Sequence, residues 1–264
     1  MFVLVIIAII VRFFIISAYR IPTPSMAETL IPGDFILVNL AAYKLRTPGE
    51  IPFISSTLEQ LVILKTGEPK INDLVIFKLP FVDDNSSIYA NPSIVKRIIA
   101  GPGDTLQIID KIIIVNGSEL SLPPSFVRNY QNVKESGLED KNIFYSGSGW
   151  NSDNYGPIVI PSRGDTLTIN NENIHKWQHL IFYEYGKKVV RKEGSVITID
   201  GLPSKEYIVQ KDQYFVIGDN FNNSHDSRYF GFINEDMIVG RVMFIYWSTD
   251  TASGIRWDRI FNLM

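Results

Sequence analysis

Ser93-Ile94-Val95-Lys96-Arg97-Ile98-Ile99-Ala100-Gly101-Pro102-Gly103-Asp104-Thr105-Leu106-Gln107-Ile108-Ile109-Asp110-Lys111-Ile112-Ile113-Ile114-Val115 holds the pattern that decides the fold. The apolar runs Ile94 to Ile99, Leu106 to Ile109 and Ile112 to Val115 are rich in β-branched residues, and turn residues interrupt them before a helix could complete its apolar face. In Gly101-Pro102-Gly103-Asp104 a glycine supplies positive φ and the aspartate can bond its own backbone, as a tight turn requires. The same alternation recurs outward at Phe35 to Val38, Leu74 to Phe77, Ile158 to Ile160, Tyr214 to Ile217 and Ile238 to Tyr246. Related turns stand at Pro32-Gly33-Asp34, Arg163-Gly164-Asp165 and Gly218-Asp219-Asn220. The chain therefore reads as mostly β.

Within the first run, period two puts Lys96 on the face of Ile94 and Ile98, and Arg97 on the other face with Val95 and Ile99. Burial among such neighbours disfavours an ammonium and lowers its pKa from about 10.4 toward the roughly 7–8 that suits a general base. A lysine snorkelling from an edge strand would give the same pattern, so this residue alone leaves both readings open.

The ends and the middle differ in character. Met1 to Tyr19 carries one charge, Arg12, and at about 1.5 Å per residue it roughly spans a bilayer core of about 30 Å. It has no basic start and no small-x-small site before Ile21, so an anchor over residues 1–19 is expected rather than a removed leader. From Asn116 to Ser204 the composition shifts toward Asn, Ser, Gly and charge, with Ser146-Gly147-Ser148-Gly149 and Asn151 to Asn154 as loop-like tracts. Residues 116–204 are expected to form an insertion subdomain, with a short helix near Asn171 to Leu180. Residues 20–115 and 205–264 then make up the β domain, with Ile255 to Ile260 packing back on it.

Composition narrows the chemistry. With 264 residues, 45% of them hydrophobic, the chain can bury a sizeable core. A net charge of −3 with interspersed signs argues against nucleic acid as a partner. The absence of cysteine removes thiolate catalysis, disulfides and thiolate zinc sites together.

Ser25, in Ile21-Pro22-Thr23-Pro24-Ser25-Met26 directly after the apolar leader, is the candidate nucleophile, and a serine must pass its proton to a base. Ser224-His225-Asp226 contains the three residue types of a hydrolytic triad, but neighbours on an extended chain point to opposite sides and do not converge. His175 and His179 lie four apart, yet no Glu stands between them in the zincin position and no third ligand is evident, so no metal site is expected. Lys96 is the better candidate for the base.

Ordered blocks of sequence then add a resemblance. Ile21-Pro22-Thr23-Pro24-Ser25-Met26-Ala27-Glu28-Thr29-Leu30, Gly33 to Val38, Lys65 to Lys70 with Asp73 to Phe77, Lys96 to Asp104 and Gly218 to Gly231 are similar, in that order, to the boxes of bacterial signal peptidase I, a membrane-anchored Ser-Lys endopeptidase. The resemblance implies an N-terminal transmembrane helix followed by a β-rich peptidase domain with a large insertion. It implies Ser25 as nucleophile and Lys96 as general base. It further implies Ser224 as the group that orients Lys96, and Thr23 with the Ser25 N–H as oxyanion donors. Arg97, Asp219, Asp226 and Arg228 are implied as framework, with Asp219 paired to Arg97. The implied reaction cleaves signal peptides from exported precursors after a small-x-small motif, without cofactor or metal. The implied setting is the bacterial cytoplasmic membrane with the catalytic domain on its outer side, the partners being precursors and membrane lipid; a monomer is expected. Three sites depart from the family pattern: Ala27-Glu28 where proline is usual, Phe221-Asn222 in place of a basic-acidic pair, and Asn72 where glycine is usual. A membrane-tethered β module that binds exported peptides without cutting them is the alternative, and the joint presence of Ser25, Lys96 and Ser224 weighs against it.

Overall fold

The computed structural model describes residues 14–47, 50–51, 54–57, 60–82, 88–90, 93–185, 190–194, 196–250 and 254–264. In chain order the elements that position the site begin with β1 (Ile16–Arg20), β2 (Asp34–Asn39), β3 (Leu74–Phe77) and β4 (Ile94–Ala100). Next come β5 (Thr105–Ile109), β6 (Ile112–Val115), β7 (Ser118–Glu119), β8 (Tyr155–Val159) and helix α1 (Ile174–Tyr185). Last are β9 (Gln213–Ile217), helix α2 (Ser227–Phe230), β10 (Ile233–Asn234), β11 (Ile238–Asp250) and β12 (Gly254–Ile255). The fold is mostly β.

The main sheet runs β1-β2-β11-β3-β4-β9-β10, antiparallel throughout, with β12 paired to β11. Its central strand β3 is apolar on every residue because each face meets a different core. Val75 and Phe77 join Ile98, Tyr214 and Val216 on one side. Leu74 and Ile76 join Ile36, Val38, Met26 and Leu30 on the other. In register Lys96 stands opposite Val75 and Arg97 opposite Leu74, so the two basic side chains leave on opposite faces.

A second sheet, β7-β6-β5-β8, packs against this one. Leu106, Ile108, Ile113 and Ile158 share a single apolar cluster with Ile99, Phe215 and Ile217 of the main sheet and with Ile174, Leu180 and Ile181 of α1. Residues 20–115 therefore supply strands to both sheets, and the stretch expected as a separate insertion shares its core with the rest. The helix expected over Asn171 to Leu180 starts at Ile174 and runs on to Tyr185. The polar residues ahead of it are its entry turn, where Asn170 Oδ1 accepts from the N–H groups of Glu172 and Asn173.

The reading of Met1 to Tyr19 as one apolar span meets a strand at its end. Ile16–Arg20 is extended and pairs with β2 from Ile16↔Asn39 to Arg20↔Phe35, so a helix does not reach Tyr19. Residues 1–13 lie outside the described residues, and among the described residues no helix is long and apolar enough to cross a membrane. At the other end the C-terminal segment packs back as expected. Arg259 donates to Asp34 Oδ2 at 2.7 Å and to the Thr29 carbonyl at 2.9 Å, while Ser248 donates to Asp34 Oδ1 at 2.6 Å. These bonds brace the loop that carries Ser25.

Candidate active site

The loop between β1 and β2 carries Ser25 on a short, braced turn. Its apolar residues Met26 and Leu30 are buried in the core beneath it. Ala27 N–H donates to the Pro24 carbonyl at 3.0 Å and Leu30 N–H to the Met26 carbonyl at 2.8 Å, closing the turn on itself. The hydroxyl of Thr29 reaches Asp219 Oδ2 at 2.5 Å, tying the loop to the segment after β9.

β4 brings Lys96 to this turn from the other side. Its side chain is 2% exposed, and Nζ lies 2.6 Å from Ser25 Oγ in hydrogen-bond geometry. Burial lowers its pKa to about 8; Asp226 and Asp219 oppose the fall, and Arg228 adds to it. Thr23 Oγ1 stands 3.4 Å from Ser25 Oγ, on the exposed side of the turn. Lys96, 71 residues away in sequence, is thus gathered with Ser25 and Thr23 at one point.

Ser224 is brought close but not into the role expected of it. Its Oγ is buried and has no hydrogen-bond partner among the described residues, so the bond expected from Lys96 is not made. Lys96 directs its bond to Ser25 instead, and the Ser224 hydroxyl stands beside the Asp226 carboxylate, which it helps to hold low.

The four framework residues form two buried pairs. Arg97 donates through Nε to Asp219 Oδ1 at 2.8 Å and through NH2 to Oδ2 at 2.5 Å, as expected. Its NH1 donates to the Asn72 carbonyl at 2.8 Å. Asn72 itself has φ of 73°, the left-handed turn that an asparagine tolerates where glycine is usual. Arg228 donates through Nε and NH2 to the two oxygens of Asp226, both at 2.8 Å, and its guanidinium carbon sits 4.0 Å from the centre of the Phe221 ring. Burial would raise the Asp226 carboxyl, but Arg228 and Lys96 outweigh it and hold it below its ordinary value. Asp226 also accepts from the Gly218 N–H at 3.2 Å, which joins this pair to the end of β9.

The histidines stand apart from these groups. His225 is exposed and stacks on Tyr229 at 5.1 Å, while Asp226 is committed to Arg228, so Ser224-His225-Asp226 forms no triad. His175 and His179 lie on α1, the first beside the Ser146 carbonyl and the second near Tyr183, with burial lowering the pKa of His179.

Two residues read only as turn formers belong to the site. Asn220 donates its backbone N–H to the Ser25 carbonyl at 3.1 Å and its side-chain amide to the Pro24 carbonyl at 3.0 Å. Gly218 passes so close that a Cβ there would lie 2.2 Å from Ser224 Oγ and 2.4 Å from the Ser25 carbonyl oxygen. A glycine beside an aspartate signals a turn in sequence, and close approach of two distant segments leaves no local trace.

Comparison with known proteins identifies the family. The family described as "Signal peptidase, peptidase S26" matches residues 1–247. Signal peptidase I of Buchnera aphidicola subsp. Baizongia pistaciae is 32% identical over 286 residues, covering 99% of this chain and 81% of that protein. The signal peptidase I of Aquifex aeolicus is 27% identical, covering 96% of this chain and 84% of its own length, and that of Pseudomonas aeruginosa is 28% identical, covering 92% and 68%. By a family match over nearly its whole length and relatives that span it, the chain belongs to the signal peptidase family and is a peptidase of the signal peptidase I type.

Proposed function

We propose that this chain is a membrane-anchored serine endopeptidase that removes signal peptides from exported precursors, with Ser25 as nucleophile and Lys96 as general base. The observation that carries this reading is the 2.6 Å contact between Lys96 Nζ and Ser25 Oγ, made by a lysine 2% exposed. As a free amine Lys96 takes the Ser25 proton while Oγ attacks the scissile carbonyl. The oxyanion is received by the Thr23 hydroxyl and the Ser25 N–H, and the Lys96 ammonium then protonates the leaving amine. Water, deprotonated by the regenerated amine, hydrolyses the acyl-enzyme. Ser224, buried beside Asp226, takes part by holding the lysine's surroundings fixed.

An open strand edge supports a peptide substrate. β4 pairs with β9 only from Arg97 onward, so on that side the main chain of Ile94 to Lys96 has no strand partner among the described residues. An extended peptide adding there delivers a carbonyl to Ser25 and turns alternate side chains toward the protein, which suits a small-x-small preference. The apolar stretch of sequence ahead of Ile16 holds the enzyme to the bilayer that also holds its precursors, with the body on the outer face of the bacterial cytoplasmic membrane.

The test is processing of a purified precursor by the full chain in detergent, with the new N-terminus sequenced. A single cut after a small-x-small site is expected; no processing, or a cut elsewhere, rejects the reading. In the same assay Thr23→Val is expected to lower kcat about 100-fold by removing one oxyanion donor, with KM little changed.

A further inference from the structure

A chain of buried charges leads from Lys96 away from the substrate side and into the second sheet. The Asp226 carboxylate acts on Lys96 through its charge, and Arg228 holds both oxygens of Asp226. The guanidinium's other donors reach the Phe221 carbonyl at 2.7 Å and the Ser152 carbonyl at 3.2 Å. Next in line is the buried carboxylate of Asp153, whose field acts on Arg228. Asp153 Oδ2 accepts from the Lys134 N–H at 3.1 Å and stands 3.5 Å from Lys111 Nζ, and Oδ1 accepts from the Ser152 hydroxyl at 3.1 Å. Lys111, also buried, donates to the Asn129 carbonyl at 2.5 Å. The signs alternate from Lys96 through Asp226, Arg228 and Asp153 to Lys111.

We propose that Asp153 is a positioning residue for the active site: it anchors Ser152, whose carbonyl holds Arg228, and through Arg228 it positions Asp226 and Lys96, so that residues 116–204 complete the catalytic centre. Three features carry this. An apolar subdomain needs no buried ions to pack, and fully buried charges are tolerated only when paired and hydrogen-bonded. Here the ions of the second sheet align with those of the site. The same region also grips the segment after β9 along its length. Val127 N–H donates to the Asp219 carbonyl at 2.7 Å, Phe221 N–H to the Val127 carbonyl at 3.1 Å, and Phe144 N–H to the Arg228 carbonyl at 2.7 Å. Asn129 N–H donates to Asn222 Oδ1 at 2.9 Å. Finally, Arg228 has no solvent route to relax, so a change at Asp153 is felt at Asp226 rather than screened.

The inference rests on the Ser25 and Lys96 reading, and its test separates the two. The charged groups facing Lys96 are Asp226, Asp219 and Arg228. Those facing Asp153 are Lys111 and Arg228, the Lys134 ammonium being held by Asp140. Asp153→Asn removes a negative charge from this array, which disfavours the Lys96 ammonium and lets the free amine persist to lower pH. In the full chain, kcat is expected to fall about tenfold with KM unchanged, because the base is slightly misplaced. The acid limb of kcat/KM is expected to move down by roughly half a pH unit. A folded Asp153→Asn protein with wild-type kcat and an unmoved limb overturns the proposal. Should that variant fail to fold, Lys111→Met combined with Asp153→Asn leaves neither charge stranded, and a wild-type kcat in that folded protein overturns it equally. Lys96→Met, assayed alongside, reports on the underlying reading: wild-type processing by that variant marks the failure of the Ser25 and Lys96 mechanism, whatever Asp153 does.

Discussion

Lys96→Met is expected to abolish precursor processing, and Ser25→Ala to do the same, each by a factor on the order of a million in kcat. The two groups act as a unit across a 2.6 Å contact, so removing either one removes the step they share. Methionine keeps the apolar stem among Ile98 and its neighbours and deletes only the amine. Lys96→Arg tests the charge itself: a guanidinium stays protonated throughout the working range, so this variant is expected to be inactive at every pH. In the wild type the free amine is the working form, and its pKa is lowered to about 8 by burial. The rate should therefore rise with pH through about 8 and flatten above it. Stability follows the same proton. The unfolded chain holds it up to about 10.4, while the folded chain releases it near 8, so between those values the unfolded state binds more protons and stability rises with pH. Lys96→Met should lose that slope and melt at or above the wild-type temperature at neutral pH, since a buried ammonium has been removed. A folded Lys96→Met enzyme that processes precursor at the wild-type rate would sink the mechanism.

How much of this was legible in the sequence depends on whether a feature is local. Strands β3, β6 and β9 fall on the apolar runs that flagged them, because a continuous run bounded by turns has few other ways to satisfy its backbone. The opposite faces of Lys96 and Arg97 follow from the period of two alone, and the register bears this out. On either side of the boundary expected at Asn116, β5 and β6 before it and β7 and β8 after it share the second sheet, because composition measures loop content rather than shared core. Asp153 was hidden for the same reason. It stands in a tract that reads as polar loop, and its ion-pair partner Lys111 is not nearby in sequence. Lys111 lies at a turn with φ of 69°, where a charged residue looks solvent-exposed until the fold closes over it.

Gly218→Ala is expected to lower kcat on the order of a thousandfold through displacement alone, since no reacting atom changes. The new Cβ would lie 2.2 Å from Ser224 Oγ and 2.4 Å from the Ser25 carbonyl oxygen, far inside contact distance, so something must move. The Ser25 carbonyl has little freedom. It accepts from Asn220 N–H at 3.1 Å, and its loop is fixed below by buried Met26 and Leu30 and laterally by the Thr29 bond to Asp219. The Gly218 backbone is fixed as well, through its N–H to Asp226 Oδ2 at 3.2 Å. A shift of about 1 Å is the least that relieves such overlaps, and a shift of that size in a nucleophile or its base costs roughly 100-fold by itself. Here both are affected, Ser25 directly and Lys96 through Asp226. Overpacking of this kind also destabilises by about 1–3 kcal/mol, readable as a lower melting temperature. Combining Gly218→Ala with Ser224→Gly tells the two collisions apart. It clears the Ser224 side chain and leaves the Ser25 carbonyl in the way, so no recovery of kcat is expected. Full recovery in the double variant would assign the whole effect to Ser224 and refute the claim that Gly218 is needed for the approach of the nucleophile loop.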